Sequence, residues 1–470
     1  AVEQKVPGNS DSLIYRFMID DSIHIIANGN QNIGDDKSLA QIFGAQISSG
    51  KVVEIKGDEF VLTVDTIAGD TGVITSTASA AQAGLKDIYG LENSGDTMID
   101  GTSKITVNAT GGTATSVGGE NFATGATVGV EEIFGVYNTQ PGILKFLDKA
   151  TIEMNFKGGT AVLQDKNWNG ANANTADKWG NAGSEYSGAL FNGGTLSMKN
   201  LDILISAENG IAEAKTTSAR AGTGNFRGIQ NQATGTADFS DLVNIDIKTA
   251  SPSSSYAISE TGTAYAYSES IRGIENFGTA TFSKSVAINM NLAAGNASTG
   301  APYNPSWSPH FQDAYAHVNL VDGIYNGGGN LHFKEQVNIQ GSGTGGTATS
   351  TGGSSTTAAI RLFYGLQNGG GTTRLNKGFT IALQGQGGTA TTKNGEGNAN
   401  ASSTLYGVGV SGGSIQVNGP VKIDILSTGG KAETFTGIAS STGGGIGIYT
   451  DNDGMFTAND SVEIRIKGVG

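Results

Sequence analysis

One phrase keeps returning through the chain, and it constrains the fold more than any other feature. It runs apolar residue, Gly, apolar residue, then usually Asn within a few positions, then Gly. It reads IYGLENSG, IFGVYNTQPG, YSGALFNGG, FRGIQNQATG, IRGIENFG, VDGIYNGGG, FYGLQNGGG, YGVGVSGG and GIGIYTDNDG. The leading glycines are Gly90, Gly135, Gly188, Gly228, Gly273, Gly323, Gly365, Gly407 and Gly447, with a weaker copy at Gly44. Self-similarity at a spacing of roughly 40 to 50 residues marks a stacked-repeat architecture, in which one unit cannot hide its apolar face alone.

Each unit carries a second phrase of strict alternation, such as Ile105-Val107, Val243-Ile245-Ile247, Val286-Ile288-Met290, Val337-Ile339 and Val421-Ile423-Ile425. Alternation at period two in β-branched residues predicts strands with one buried face. The step from leading Gly to this phrase is nearly constant, as from Gly273 to Val286 and from Gly365 to Phe379. The return to the next Gly varies in length and is rich in Gly, Ala, Thr and Ser, as in TGGTATSVGG and QGGTATTKNG. Length variation confined to one side of a coil belongs to the loop side of a solenoid. Two readings of the returns stay open. Either each unit is one oversized coil with a thin fin, the Ala and Gly letting two sheets press together, or each unit holds two ordinary rungs.

Stacking such units predicts columns. Leu91, Val136, Ile229, Ile274, Ile324, Leu366, Val408 and Ile448 fall in one, and Asn93, Asn138, Asn231, Asn276, Asn326 and Asn368 in another. Asn at that place suits either a left-handed turn or an internal amide ladder. The predicted fold is all-β, a right-handed parallel β-helix of about ten oversized coils with variable Gly/Ala/Thr-rich return loops, spanning residues 41–470. Residues 1–40 lack the repeat and are expected to form an N-terminal β cap over the open strand edges. The chain stops at Ile464-Arg465-Ile466-Lys467-Gly468, directly after a core strand, so continuation into a longer protein is expected.

Composition narrows the function. The 73 glycines follow no Gly-X-Y period, which excludes collagen, and a 37% hydrophobic share is too apolar for a disordered linker. With 28 basic against 42 acidic residues the net charge is -14, which repels phosphate backbones and anionic lipid surfaces, so nucleic acid is not an expected partner. No apolar run approaches the ~20 residues of a membrane span, so this segment is not expected to insert directly into a membrane. The chain has no cysteine, which suits a protein kept unfolded during export. The opening AVEQKVPGNSDS lacks the basic and apolar parts of a signal peptide.

Acidic, cysteine-free, Gly/Ala/Thr-rich units with NGG-type turns and VxIxI strands resemble the passenger region of autotransporter adhesins of Gram-negative bacteria. The resemblance covers the repeats after residue 40. It implies a β-helix exported through the outer membrane by a C-terminal translocator barrel, whose amphipathic strands are absent from this sequence. It also implies a place on the cell surface and a role in adhesion, aggregation or biofilm formation. The partners would be a host or bacterial surface glycan or protein, or a second stalk through self-association.

Apparent catalytic motifs have plainer readings. Gly409-Val410-Ser411-Gly412-Gly413 matches the nucleophile elbow G-x-S-x-G but occupies the turn of the repeat, where no strand-to-helix junction is expected. The G-x-G-x-x-G matches at Gly341 and Gly407 are expected by chance in so glycine-rich a chain. His24, His310, His317 and His332 show no metal-ligand spacing, and Asp35-Asp36 and Asp451-Asn452-Asp453-Gly454 read as turns. Lys56-Gly57-Asp58 resembles a short integrin-type tripeptide that recurs easily by chance. The Thr runs are too irregular for an ice-binding face. No catalytic residue, metal or cofactor is expected. The rival is a polysaccharide lyase or glycosidase on a β-helix, which needs carboxylates gathered on one face; along the sequence the acids look scattered.

The strongest binding candidates lie in the two longest units. Trp168 and Trp179 fall in one return, and Tyr303, Trp307, Phe311 and Tyr315 in the other, beside Pro302, Pro305 and Pro309. Prolines stiffen a loop, and aromatic rings stack on sugars or fill protein pockets. The alternative is that these rings pack their loops onto the stalk.

Overall fold

The computed structural model describes residues 2–3, 14–18, 23–28, 41–67, 73–74, 81–116, 126–163, 171–174, 187–214, 219–250, 256–259, 262–300, 313–351, 355–393, 397–451 and 453–470. Every secondary-structure element among them is a strand. The unit around Gly273 shows how a repeat folds. Its lead strand is the second half of Ala264–Asn276, followed by a short strand, Thr279–Phe282, and a long strand, Val286–Ala293. The chain then leaves the body through Asn296–Thr299 and comes back as the first part of Ala314–Phe333, which continues into the next lead strand.

Between repeats the pairing is parallel and always one repeat away. Ile245 lies against Ile288, Ile288 against Ile339 and Ile339 against Ile381. Each repeat is therefore one coil, and the two-rung reading fails. The three body strands and the returning strands join one large sheet, while the outgoing strands form a separate sheet of nine. The thin fin of the sequence reading is this second sheet packed against the returning strands. The fold is a parallel β-helix.

The body core follows from the pleat. The lead-strand column runs unbroken from Leu91 through Val136, Leu190, Ile229, Ile274, Ile324, Leu366 and Val408 to Ile448. On the short strands Phe239, Phe282 and Phe333 stack at 4.6 and 4.9 Å between ring centroids. The leading glycine is required by close approach. A Cβ at Gly273 would stand 2.5 Å from the Gly323 carbonyl oxygen and 2.8 Å from Cγ2 of Ile288 in the long strand.

The Asn column is an amide ladder. Asn93, Asn138, Asn192, Asn231, Asn276, Asn326 and Asn368 are all fully buried, and each Nδ2 donates to the next Oδ1 at 2.7 to 3.0 Å. The second Nδ2 proton goes to a turn carbonyl, as from Asn276 to Gly278 at 3.1 Å. Asn192 was missing from the predicted column because its unit is framed differently. Leu190 pairs with Val136 and Ile229, so Ala189, not Gly188, holds the leading-glycine place. The ladder ends at Asn368, whose neighbour in the next coil is Val410.

The fin has a different interior. In its outgoing sheet Ala114, Ala161, Ala212, Ala257, Ala297, Ala348, Ala390 and Ala432 stand in register. On the returning strands Ala219, Ala264 and Ala314 form a facing column, with Ala221, Ala266 and Ala316 two residues on. Ala114, Ala161, Ala212, Ala297, Ala348 and Ala390 are buried with the alanines of the two facing columns in a cluster of their own beside the body core, and the half-buried Ala432 packs against it. Short side chains let the two sheets approach closely, which is why the returns are built from Ala, Gly, Thr and Ser.

The segment predicted as a cap contributes strands to the stack. Ile14–Met18 and Ile23–Asn28 run parallel to Val52–Lys56 and Glu59–Ile67, and Val2–Glu3 lies antiparallel on Ile14–Met18. At the other end Val462, Ile464 and Ile466 are exposed.

Candidate binding site: an axial trough

Each lead strand bends at its glycine. In Ile271-Arg272-Gly273-Ile274-Glu275-Asn276 the side chains of Ile271, Ile274 and Asn276 go inward, so the two outward residues, Arg272 and Glu275, stand three apart across the bend. They converge: Phe134 and Tyr137 hold the same two places in their coil, with ring centroids 4.8 Å apart. Stacking the bends makes a trough along the axis, lined by the residue before each leading glycine and the residue two after it.

The trough has three sections. At one end Phe43, Tyr89 and Phe134 stack in a row at 5.2 and 6.0 Å, and Tyr137 stacks on Phe191 at 4.5 Å. At the other Tyr364 and Tyr406 stack at 4.5 Å, with Tyr449 edge-on beyond them. Burial chiefly, then the Tyr406 ring, pushes the Tyr364 hydroxyl up to about 12.

Charge fills the middle. Arg227 Nε donates to Glu275 at 2.9 Å, and its guanidinium also donates to the Phe226 and Ser270 carbonyls. Arg272 bonds Glu275 in its own coil and Asp322 in the next, the latter at 2.8 Å, and lies 3.9 Å over the Tyr325 ring. Arg227, Glu275 and Asp322 are at most 2% exposed. Burial raises the Asp322 carboxyl to about 6, against the pull of Arg272. Two guanidinium groups face two carboxylates, so the cluster is neutral overall.

The stacking thus gathers acids that look scattered along the sequence, Glu275 and Asp322 with two arginines on three successive coils. A raised carboxyl is a property of general acids. Both carboxylates, however, are fully enclosed and tied to guanidinium groups, the arrangement of a staple between coils. Breaking such a pair costs roughly 3–5 kcal/mol because a buried charge is left alone.

Of the residues singled out from sequence, Trp168, Trp179, Tyr303, Trp307 and Phe311 lie outside the described residues. Tyr315 sits in the returning strand of the fin rather than in a loop. Its ring stacks on Tyr265 at 5.0 Å, and its hydroxyl donates to Asp313 at 2.9 Å; burial and that bond raise its pKa. Two residues on, His317 is buried beside Tyr267, and burial, then the charge of Arg361, lowers it to about 4. Among the described residues no group of three or more His, Cys, Asp or Glu is placed to hold a metal ion.

The trough residues were overlooked, though the signal was present. Aromatic or charged residues directly precede the leading glycine in most units, as at Tyr89, Phe134, Arg272, Tyr364 and Tyr406. Comparison of the chain with protein-family models, curated proteins and solved structures found no match.

Proposed function

We propose that this chain is the binding stalk of a bacterial surface adhesin, exported to the cell exterior, that attaches to a glycan or protein on a host or bacterial surface, or to a second stalk, and catalyses no reaction. The trough carries this reading. The half-buried Tyr137, Phe191, Tyr364 and Tyr406 and the exposed Tyr449 repeat modest aromatic contacts along the axis for an extended partner, and Tyr is among the residues that dominate binding energy at interfaces. Attachment and clumping of otherwise non-adherent cells displaying residues 1–470, mixed with an inert partner strain, tests it. Attachment reduced by Tyr364→Ala with Tyr406→Ala supports the reading, and cells that neither clump nor attach refute it.

The raised Asp322 carboxyl beside Glu275 is the observation behind a second reading, a polysaccharide-degrading enzyme, and the enclosure of both carboxylates counts against it. Release of reducing ends from a polysaccharide panel, lost in Asp322→Asn, would establish that reading in place of the first.

A further inference from the structure

Three successive long strands differ from their neighbours. Val286–Ala293, Val337–Thr344 and Phe379–Gln386 hold no charged residue, whereas the long strand before them carries Asp246 and Lys248 and the one after them Lys422 and Asp424. Those border charges pair within their own strands, Lys248 with Asp246 at 3.2 Å and Lys422 with Asp424 at 3.4 Å. In a chain of net charge -14 the three strands thus make a charge-free panel on the outer face of the large sheet. The panel holds an open hollow of about 410 Å³, lined by Asn289, Asn291, Gln340, Ser342 and Gln384. It dips where the short side chain of Ala382 follows Gln340 in register.

The amides of the panel are the second observation. Elsewhere on this face amides tie coil to coil, Asn155 donating to Asn108 and Asn244 to Asp202, both at 2.8 Å. Within the panel Ser342 donates to Asn291 at 3.1 Å, but Asn289, Gln340 and Gln384 are exposed and their amides bond no group among the described residues. Asn is a poor strand former. Neither strand propensity nor bonding between coils therefore accounts for this run of amides.

We propose that the panel binds an uncharged glycan lying along the coil axis, its hydroxyl groups bonded to the amides of Asn289, Gln340 and Gln384. A primary amide presents a donor and an acceptor side by side, which matches a pair of adjacent hydroxyls: the nitrogen donates to one and the oxygen accepts from the other. Coils stacked ~4.8 Å apart repeat that offer along an extended polymer. The panel has no charge to select an ion, and its outward positions hold only Ala, Asn, Gln, Ser and Thr, with no large apolar side chain to grip a peptide. This surface lies on the long strands, apart from the trough on the lead strands, and goes beyond the reading built on the trough.

The test is binding of fluorescently labelled oligomers of glucose, galactose and mannose to the purified whole chain, with oligogalacturonate as the charged control. At least one neutral oligomer should bind. Gln340→Glu with Gln384→Glu, which keeps shape and replaces both amides by charge, should weaken that binding about tenfold or more with circular dichroism and melting temperature unchanged. Leu204→Glu, exposed on the same face outside the panel, should bind as the wild type does. No neutral oligomer bound by the wild type, equal binding by the double variant, equal weakening by Leu204→Glu, or preference for oligogalacturonate would each overturn the proposal. So would self-association of the wild-type chain that the double variant abolishes, with no oligomer bound, since the panel would then join two stalks. Cells that fail to attach would refute the trough reading and leave oligomer binding by the panel to be decided on the purified chain.

Discussion

Body and fin are two solutions to burying a strand in the same coil. The body surrounds its interior with three strands and fills it with Ile, Leu, Val and Phe, closing the corner with the Asn ladder. The fin presses two sheets together over alanines. Each buried Phe or Ile contributes about 1.5–3 kcal/mol from area alone, while an alanine methyl contributes only a fraction of that. The body is therefore vulnerable to cavities and the fin to excess volume. The fin is tied to the body through its returning strands, which in most coils, as in Ala264–Asn276 and Ala314–Phe333, run straight into a lead strand.

The comparison breaks most sharply at Phe282. It is stacked between Phe239 and Phe333, so Phe282→Ala should destabilise the chain by about 3–5 kcal/mol in denaturant unfolding. A loss below about 1 kcal/mol would mean the Phe column is not the core. Next comes Asn231→Leu, which takes the ladder acceptor from Asn192 Nδ2 and the ladder donor from Asn276 Oδ1 and should cost about 2–4 kcal/mol. A Leu tolerated without loss would reduce the ladder to ordinary packing.

In the fin, Ala316→Leu forces volume between sheets with no room for it and should cost about 1–3 kcal/mol. That loss should appear first as faster amide exchange in Asn296–Thr299 and Thr347–Ser350, with the body strands still protected. Simultaneous exchange of body and fin would show that the two interiors are one cooperative unit.

The smallest effect is a pair of opposed pH responses. Asp322, in the trough beside Arg272, Arg227 and Glu275, has its carboxyl raised to about 6 in the fold. The folded state then binds more protons than the unfolded chain in the window below 6, so this group adds stability as pH falls from about 6 toward the ordinary carboxylate range. His317, in the fin beside Tyr267, Tyr315 and Arg361, is lowered to about 4. Its contribution is present above the ordinary imidazole range and is lost as pH falls from there toward 4. Melting curves between pH 4 and 7 should slope in opposite directions in Asp322→Asn and His317→Phe, each variant leaving the other group's response in view. Parallel slopes would remove both assignments.

Much of this was legible in the sequence because the repeat carries it. The lead-strand column, the Asn column and the Ala/Gly returns each follow from side chains recurring at fixed offsets from a leading residue that is glycine in every described coil but the one holding Ala189. The frame was misread at YSGALFNGG because Ala189 takes the glycine place and Gly188, one residue early, imitates it. The charge cluster was not legible for a different reason. Arg272 and Glu275 converge only because the strand bends at Gly273, and period-two alternation gives no sign of a bend. Their bonds to Arg227 and Asp322 then cross from coil to coil, joining residues roughly 45 to 50 positions apart. Tyr315 looked like part of a proline-rich loop because sequence alone does not show where the loop ends and the returning strand begins.

The claim beneath both the trough and the fin is that one repeat makes one coil, which brings residues from distant repeats onto a single face. Lys104 and Lys422 occupy the same outward column, linked by successive pairings through Thr151, Asp202, Asn244, Ala287, Asn338 and Thr380. Seven steps at ~4.8 Å separate them. Spin labels at Lys104→Cys and Lys422→Cys should give a double electron–electron resonance distance near ~34 Å, whereas a distance near ~67 Å would mean two rungs per repeat and would contradict the single-coil architecture.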